Sequence, residues 1–253
     1  MPNSTQRWTN TQLKLAFYLY CQLPFGKLHS NNPHIKKMAA FIGRTSNALA
    51  MKLVNFASLD PAIRSTGRKG LRNASQADQK IWDLFHNDWN ALAEECETLL
   101  QNNSSIFKIE NIHESNDFTG ETRDIITKAR IGQNFFRRSV LAGYEGICCM
   151  SGVSIPELLI ASHIIPWANT KENRLNPSNG LCLSAIHDRA FDKGLISVDT
   201  NYKIIISKKL KLYKNIHQID ILIHLEGKEI TLPKKFYPNK DFLSWHNIHV
   251  FKG

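Results

Sequence analysis

The sequence predicts an α+β protein, with a helical domain in front and a mixed domain of short strands and helices behind. Three observations predict this. Apolar side chains recur at helical spacing through residue 100, residues 101–120 (QNNSSIFKIENIHESNDFTG) are polar and rich in Asn and Ser, and short β-type runs appear only after them. The expected division is therefore 1–100, a linker over 101–120, and 121–253. A chain of 253 residues that is 42% apolar and 9% aromatic has enough material for two packed domains, so disorder is not expected.

The first helix is expected over 10–22. Thr9 and Gln12 have capping-box spacing, and Leu13, Ala16, Phe17 and Tyr20 fall on one face. Pro24 and Gly26 break it. Asn32-Pro33 starts a second helix that carries Ile35, Met38, Ala39 and Ile42 inward and stops at Gly43. Thr45 or Ser46 caps a third, with Leu49, Leu53 and Phe56 inward and Arg44, Asn47, Lys52 and Asn55 outward. Three short helices with a tight turn before the last form a helix-turn-helix-like pattern. Ser75 and Asp78 open a longer helix over 76–100, with Ile81, Leu84, Phe85, Trp89 and Leu92 at core spacing and Glu94, Glu95 and Glu97 on a solvated face.

The second domain is expected to open with a helix over Gly132–Tyr144, turning Phe135, Phe136, Val140 and Leu141 inward. Strands at 147–150 and 157–165, a polar loop, a helix near 182–192 and strands at 195–199 and 203–207 follow.

Charge is distributed unevenly. Residues 1–72 hold eleven Lys/Arg and one acid, 73–120 two and nine, and 121–253 nineteen and twelve. Basic ends around an acidic middle suit a polyanion, which binds basic surfaces with release of its counterions. On this reading Arg44, Asn47, Lys52, Arg64, Arg68, Lys69 and Arg72 meet DNA from the first domain, and Arg137 and Arg138 are backbone contacts from the helix that opens the second. No run approaches the roughly 18 apolar residues of a membrane span. The start MPNSTQRWTN lacks an apolar signal core, so a soluble cytoplasmic protein is expected. Five scattered cysteines without a C-x-x-C pair read as reduced, buried thiols; of these, Cys148 and Cys149 fall close to the residues that carry the chemistry.

Those residues lie in 147–199, ICCMSGVSIPELLIASHIIPWANTKENRLNPSNGLCLSAIHDRAFDKGLISVD. His163 ends an apolar strand, Asn179 follows sixteen residues later before Gly180, and His187 comes eight further on in a helical pattern. An imidazole, with its pKa of about 6.5, is largely a free base at neutral pH, which suits His163 to activate a water.

The runs ASHIIPW and PSNGLCLSAIHDRAFDKGLISVD resemble the HNH (His-Asn-His) endonuclease family, and within it the subgroup of bacterial restriction-like and phage-defence nucleases. The resemblance covers 130–200 most strongly and extends over the strands expected to 253. Residues 5–75 resemble, less specifically, the helical front part of many such proteins.

The resemblance implies a ββα-metal nuclease domain with additional strands, binding one Mg2+ or Mn2+ and acting on DNA. It makes His163 the general base, its other ring nitrogen held by a backbone carbonyl. His187 becomes a metal ligand, and Asn179 either a ligand or the residue that pins the loop orienting the base. Many relatives carry Asp or His as a further ligand at the position of Ser162. Here either Asp188 or Asp192 supplies the missing oxygen, or the ion is held mainly by water and phosphate.

Lys171, Arg174 and Arg189 flank the site as phosphate contacts. A homodimer is expected because duplex cleavage by one-metal sites takes two copies, and the family suggests a setting in restriction or antiviral defence. Two other readings stay open: a DNA-binding regulatory protein on a degenerate HNH scaffold, and a nuclease acting on RNA or structured DNA.

Overall fold

The computed structural model describes residues 7–65, 74–101 and 120–253, which form two compact units, to Arg138 and from Ser139. Arg68, Lys69 and Arg72, and the expected linker apart from its two end residues, lie outside the described residues.

The first unit is helical: α1 (Asn10–Gln22), α2 (Pro33–Phe41), α3 (Ser46–Ala57), α4 (Pro61–Ser65), α5 (Gln76–Asn87), α6 (Trp89–Gln101) and the start of α7 (Gly120–Gly143). The Thr9–Gln12 capping box closes both ways, Asn32 and Thr45 cap α2 and α3, and Ser75 forms a second box with Asp78. α1 runs through the middle. Its Phe17 meets Phe56 at 5.1 Å, Trp82 edge-on at 5.5 Å and Trp89 at 5.9 Å between ring centroids. Each such pair adds about 0.5–1.5 kcal/mol beyond the area it buries. Phe135 of α7 stacks on Tyr18 at 5.2 Å, which ties that part of α7 to the first unit.

Between α2 and α3 the chain turns in four residues, Ile42–Thr45, with Gly43 at φ +68°, a conformation that costs glycine nothing. Asp60 is the one acid in residues 1–72. It is buried, accepts from the Tyr20 hydroxyl at 3.0 Å, and caps α4 through the Ala62 amide.

Five expectations for this unit need correcting. The helix foreseen over 76–100 is two: at Asp88 (φ −150°, ψ 84°) the chain leaves the helix, and the Asp88 carboxylate accepts from the Ala91 amide. Asn and Asp side chains that bond locally compete with the helical ladder, and Asn87 and Asp88 do so here. Leu84, counted as core, is 52% exposed. Glu97, counted as solvated, is buried and accepts from the Tyr18 hydroxyl; burial raises its pKa above the ordinary carboxylate value.

Arg44 and Lys52, expected on the outer face of α3, are buried as well. Arg44 donates to the Arg7 carbonyl and the Gln12 carboxamide and lies over the Trp8 ring. Lys52 grips both oxygens of buried Asp78 at 2.8 and 3.0 Å. Helical periodicity places Lys52 outward and Arg44 sits in the turn before α3, but a partner distant in sequence covers each.

The second unit continues from the end of α7 into a turn that closes at Cys148–Val153. There follow β1 (Leu159–His163), a long loop, β2 (Gly180–Ser184), α8 (Ala185–Asp192), β3 (Ile196–Val198), β4 (Ile204–Ile206), α9 (Lys208–Lys211), α10 (His217–Ile223) and α11 (Lys240–His249). β1 and β2 are antiparallel, with Ser162 opposite Leu181 and His163 opposite Gly180. β3 and β4 pair antiparallel in a second two-stranded sheet. α8 packs on both β1 and β2, and α11 packs on β3.

Residues 147–150 are not a strand. They form a turn whose Cys148 amide bonds Val153 and whose Cys149 amide bonds Cys182. The helix foreseen from 182 begins at 185, because Cys182 and Leu183 are buried on both faces in β2 and complete the ladder with β1. After β4 the tail is helical rather than stranded, apart from one bridge between Lys203 and Glu229. Ser207 and Asn239 cap new helices there.

Candidate nuclease site

The loop between the hairpin strands is held from inside by Asn179, which is fully buried. Its carboxamide oxygen accepts from the Ile165 amide at 2.8 Å, and its nitrogen donates to the carbonyls of Ile165 and Asn173, both at 3.1 Å. The backbone adds a bond from the Ile164 amide to the Asn179 carbonyl. Of the two roles open to Asn179, loop pinning is the one its contacts serve, and the oxygen that would ligate a metal is already engaged.

This loop brings the Arg174 carbonyl to His163. The ring nitrogen Nε2 donates to it at 2.8 Å, and since a carbonyl only accepts, Nε2 carries the proton and Nδ1 the lone pair. Burial holds the His163 pKa below 6.5, with the Arg174 bond pulling weakly the other way. The imidazole is thus a free base at neutral pH. Trp167 meets it edge-on at 5.7 Å, and Arg174 donates to the Trp167 carbonyl and lies over the indole.

His187 lies in the first turn of α8 and is buried, 3% exposed. Its Nδ1 pairs with Ser184 Oγ at 2.6 Å; its Nε2 closes no hydrogen bond among the described residues. Sequence reasoning attached no role to the thiol beside it. Burial by itself would raise the Cys148 pKa, but the side chains of His187 and Ser151 and the amides of Met150 and Ser151 outweigh it and bring the pKa down to about 6. The signal available was spacing: Cys148-x-x-Ser151 and Ser184-x-x-His187.

Ser162 is buried, with a hydroxyl that has no partner among the described residues. Asp188 and Asp192 sit four residues apart on α8; Asp192 is exposed, its carboxyl pKa raised first by partial burial and then by the Asp188 charge. Of the expected cations, Arg64, Arg137, Arg138, Lys171 and Arg189 are exposed, as is Asn47, and Arg174 is half-buried.

Residues 148–199, which contain all of these groups from Cys148 to Asp192, match the family model described as HNH endonuclease. This segment is an HNH endonuclease domain. No curated protein matches the chain. The HNH match supports a nuclease activity for this segment, which implies nucleic acid as the substrate, and HNH nucleases generally use a divalent metal.

The ligand set expected for that metal does not fit what the HNH domain presents. Asn179 is committed to the loop, His187 is buried between Ser184 and Cys148, Asp192 is exposed, and among the described residues no three His, Cys, Asp or Glu side chains converge. Among the described residues, no helix is long and apolar enough to cross a membrane.

Proposed function

We propose that this protein is a DNA endonuclease in which His163 is the general base and the helical unit grips the duplex. One observation carries the assignment of the base: Nε2 of His163 donates to the Arg174 carbonyl, which directs the lone pair of a neutral imidazole to Nδ1. From there Nδ1 takes a proton from water as the water oxygen attacks phosphorus. The phosphorus–oxygen bond to the leaving nucleotide breaks, its oxygen keeps the bonding pair and takes a proton from solvent water, and Arg174, Lys171 and Arg189 offer cationic contacts for the phosphate oxygens. Asn179 acts through the loop, since its three hydrogen bonds hold the segment that presents the Arg174 carbonyl.

DNA binding by the first unit is supported by its charge and by the short α2–α3 connection through Gly43. With Arg44 and Lys52 buried, the contacts fall to Asn47, Arg64, Arg68, Lys69 and Arg72, with Arg137 and Arg138 on α7. A homodimer that cuts both strands, and a setting in restriction or antiviral defence, complete the reading.

The test incubates purified protein with supercoiled plasmid and Mg2+ or Mn2+, wild type beside His163→Ala, with single-stranded DNA and RNA as parallel substrates. A general base contributes about 10²–10⁴-fold, so the variant should lose at least about 100-fold in rate while still shifting plasmid on a gel. Plasmid binding without cutting by either protein would favour a DNA-binding protein on an HNH scaffold. Cutting of RNA alone would move the substrate.

A further inference from the structure

Lysines to which the HNH reading gives no role meet at one edge of the second unit. Residues 193–219 hold six lysines and one acid, Asp199. That acid is turned into its own loop, where it accepts from the Asn201 and Lys203 amides, both at 2.8 Å. Folding then adds a lysine from the far end of the chain. The Lys252 amide donates to the Gly194 carbonyl at 2.9 Å, and the Ser207 amide to the Leu195 carbonyl at 2.9 Å. These two bonds bring three segments together: Lys193 at the end of α8, Lys208 and Lys209 at the start of α9, and Lys252 near the end of the chain. All four lysines are exposed, with exposed Asp192 next to Lys193.

The same edge shows apolar surface to water. α9 is a single turn, capped by buried Ser207 through the Leu210 amide, and it buries Leu210 alone. The turn that follows leaves Leu212 80% and Tyr213 51% exposed, between Lys211 and Lys214. Lys211 is engaged by Glu226 at 2.5 Å, and Lys214 is exposed. The Tyr213 amide donates to the Leu210 carbonyl at 3.0 Å, and its carbonyl accepts from the Ile216 amide at 3.0 Å, so the ring is presented from a turn held on both sides.

Converging cations beside an exposed aromatic ring match a strand whose bases are free. Lysines take the phosphates with release of counterions, and the ring stacks on a base. A duplex keeps its bases stacked inside and offers such a ring only sugar and phosphate. An acidic membrane surface takes a longer amphipathic helix than the four residues of α9. We propose that Lys193, Lys208, Lys209 and Lys252, with Tyr213, form a binding surface for single-stranded nucleic acid, using none of the residues assigned above to hydrolysis or to the duplex. This surface rests on the reading of nucleic acid as the partner of the second unit, not on cleavage.

The test follows the fluorescence anisotropy of a labelled oligothymidylate, with chelator present so that nothing is cut, beside a duplex of the same length and vesicles containing phosphatidylserine. The full chain should bind the oligothymidylate. Tyr213→Ala should weaken that binding by at least about fivefold, the low end for a lost base–aromatic stack, leave duplex binding unchanged, and be rescued by Tyr213→Trp. Lys193→Gln, Lys208→Gln and Lys252→Gln together should flatten the slope of log K against log salt by about 2, at roughly 0.7 per phosphate contact on a single strand. Arginine at the same three positions should keep the slope.

Oligothymidylate binding that neither variant changes overturns the proposal, since the strand is then held elsewhere, and leaves the endonuclease reading standing. Loss in the lysine variant alone, shared by the duplex, makes this edge a duplex contact and overturns the single-strand assignment. Binding of vesicles but of neither nucleic acid overturns both. Failure of plasmid cleavage with the oligothymidylate results as expected removes the endonuclease and keeps this surface. Circular dichroism of each variant separates loss of binding from loss of fold.

Discussion

His163 shows how one residue's surroundings set its chemistry. Burial disfavours the imidazolium, so the protonated, inactive form appears only below the ordinary histidine pKa. The pH–rate profile for DNA cleavage should therefore keep its activity through pH 6.5 and show its acidic limb lower, at a pH below that of a free imidazole. A limb at or above 6.5 would mean that another group limits the reaction. Single residues also carried the largest surprises. Lys52 falls on the outward side of α3 by helical spacing and Arg44 in the turn before it, yet each is engaged by groups that local pattern does not record: Asp78 for Lys52, Arg7 and Gln12 for Arg44. His187 was legible as a special histidine from its place in the motif. Its partner Cys148 was not, because 39 residues separate them in the chain.

Between elements, the Lys52–Asp78 pair joins α3 to the first turn of α5, and Asp78 also closes the α5 capping box. Removing one partner strands a buried charge, which costs about 3–5 kcal/mol. Lys52→Ala should lower the urea midpoint of the first unit by a corresponding amount and leave the salt dependence of DNA binding unchanged. A DNA-contacting lysine would do the opposite.

In the second unit α11 is fastened to β3 by buried His246, stacked on Phe191 at 3.8 Å and bonded to Ser197 Oγ at 2.7 Å. Burial lowers the His246 pKa to about 4. The unfolded chain therefore binds a proton that the folded chain refuses. The stability this group contributes is complete above pH 6.5 and falls as pH drops from 6.5 towards 4, by at most about 3 kcal/mol. Thermal unfolding followed over that window should show the loss, and His246→Phe, which keeps the stack, should flatten it. α8 is stopped by Gly194, where φ is +67° and a Cβ would stand 2.0 Å from the Val250 carbonyl oxygen, so the C-terminal segment closes on the end of the helix.

At the scale of the whole molecule, the proposed function divides the work between the two units: DNA binding through the charge and short helix–helix turn of one, hydrolysis at the hairpin and helix of the other. Neutralising Arg68, Lys69 and Arg72 together should weaken duplex binding and flatten the slope of log K against log salt by about three phosphate contacts, with cleavage chemistry intact once DNA is bound. Equal loss of binding in this variant and in His163→Ala would undo that division. A light-scattering mass of twice 28.9 kDa, with or without DNA, would support the homodimer.

The sequence by itself determined the helical front, the caps at Thr9, Asn32, Thr45 and Ser75, and the family of the 148–199 segment. These rest on residues near one another in the chain, where capping, periodicity and motif spacing act. Only the tertiary structure decided that Cys182 and Leu183 extend a strand, that Asn179 pins a loop, that Arg44 and Lys52 are buried, and that a thiol faces His187. Each of those outcomes depends on a partner brought in by folding, and pairing and burial are energies of contact that no local pattern records.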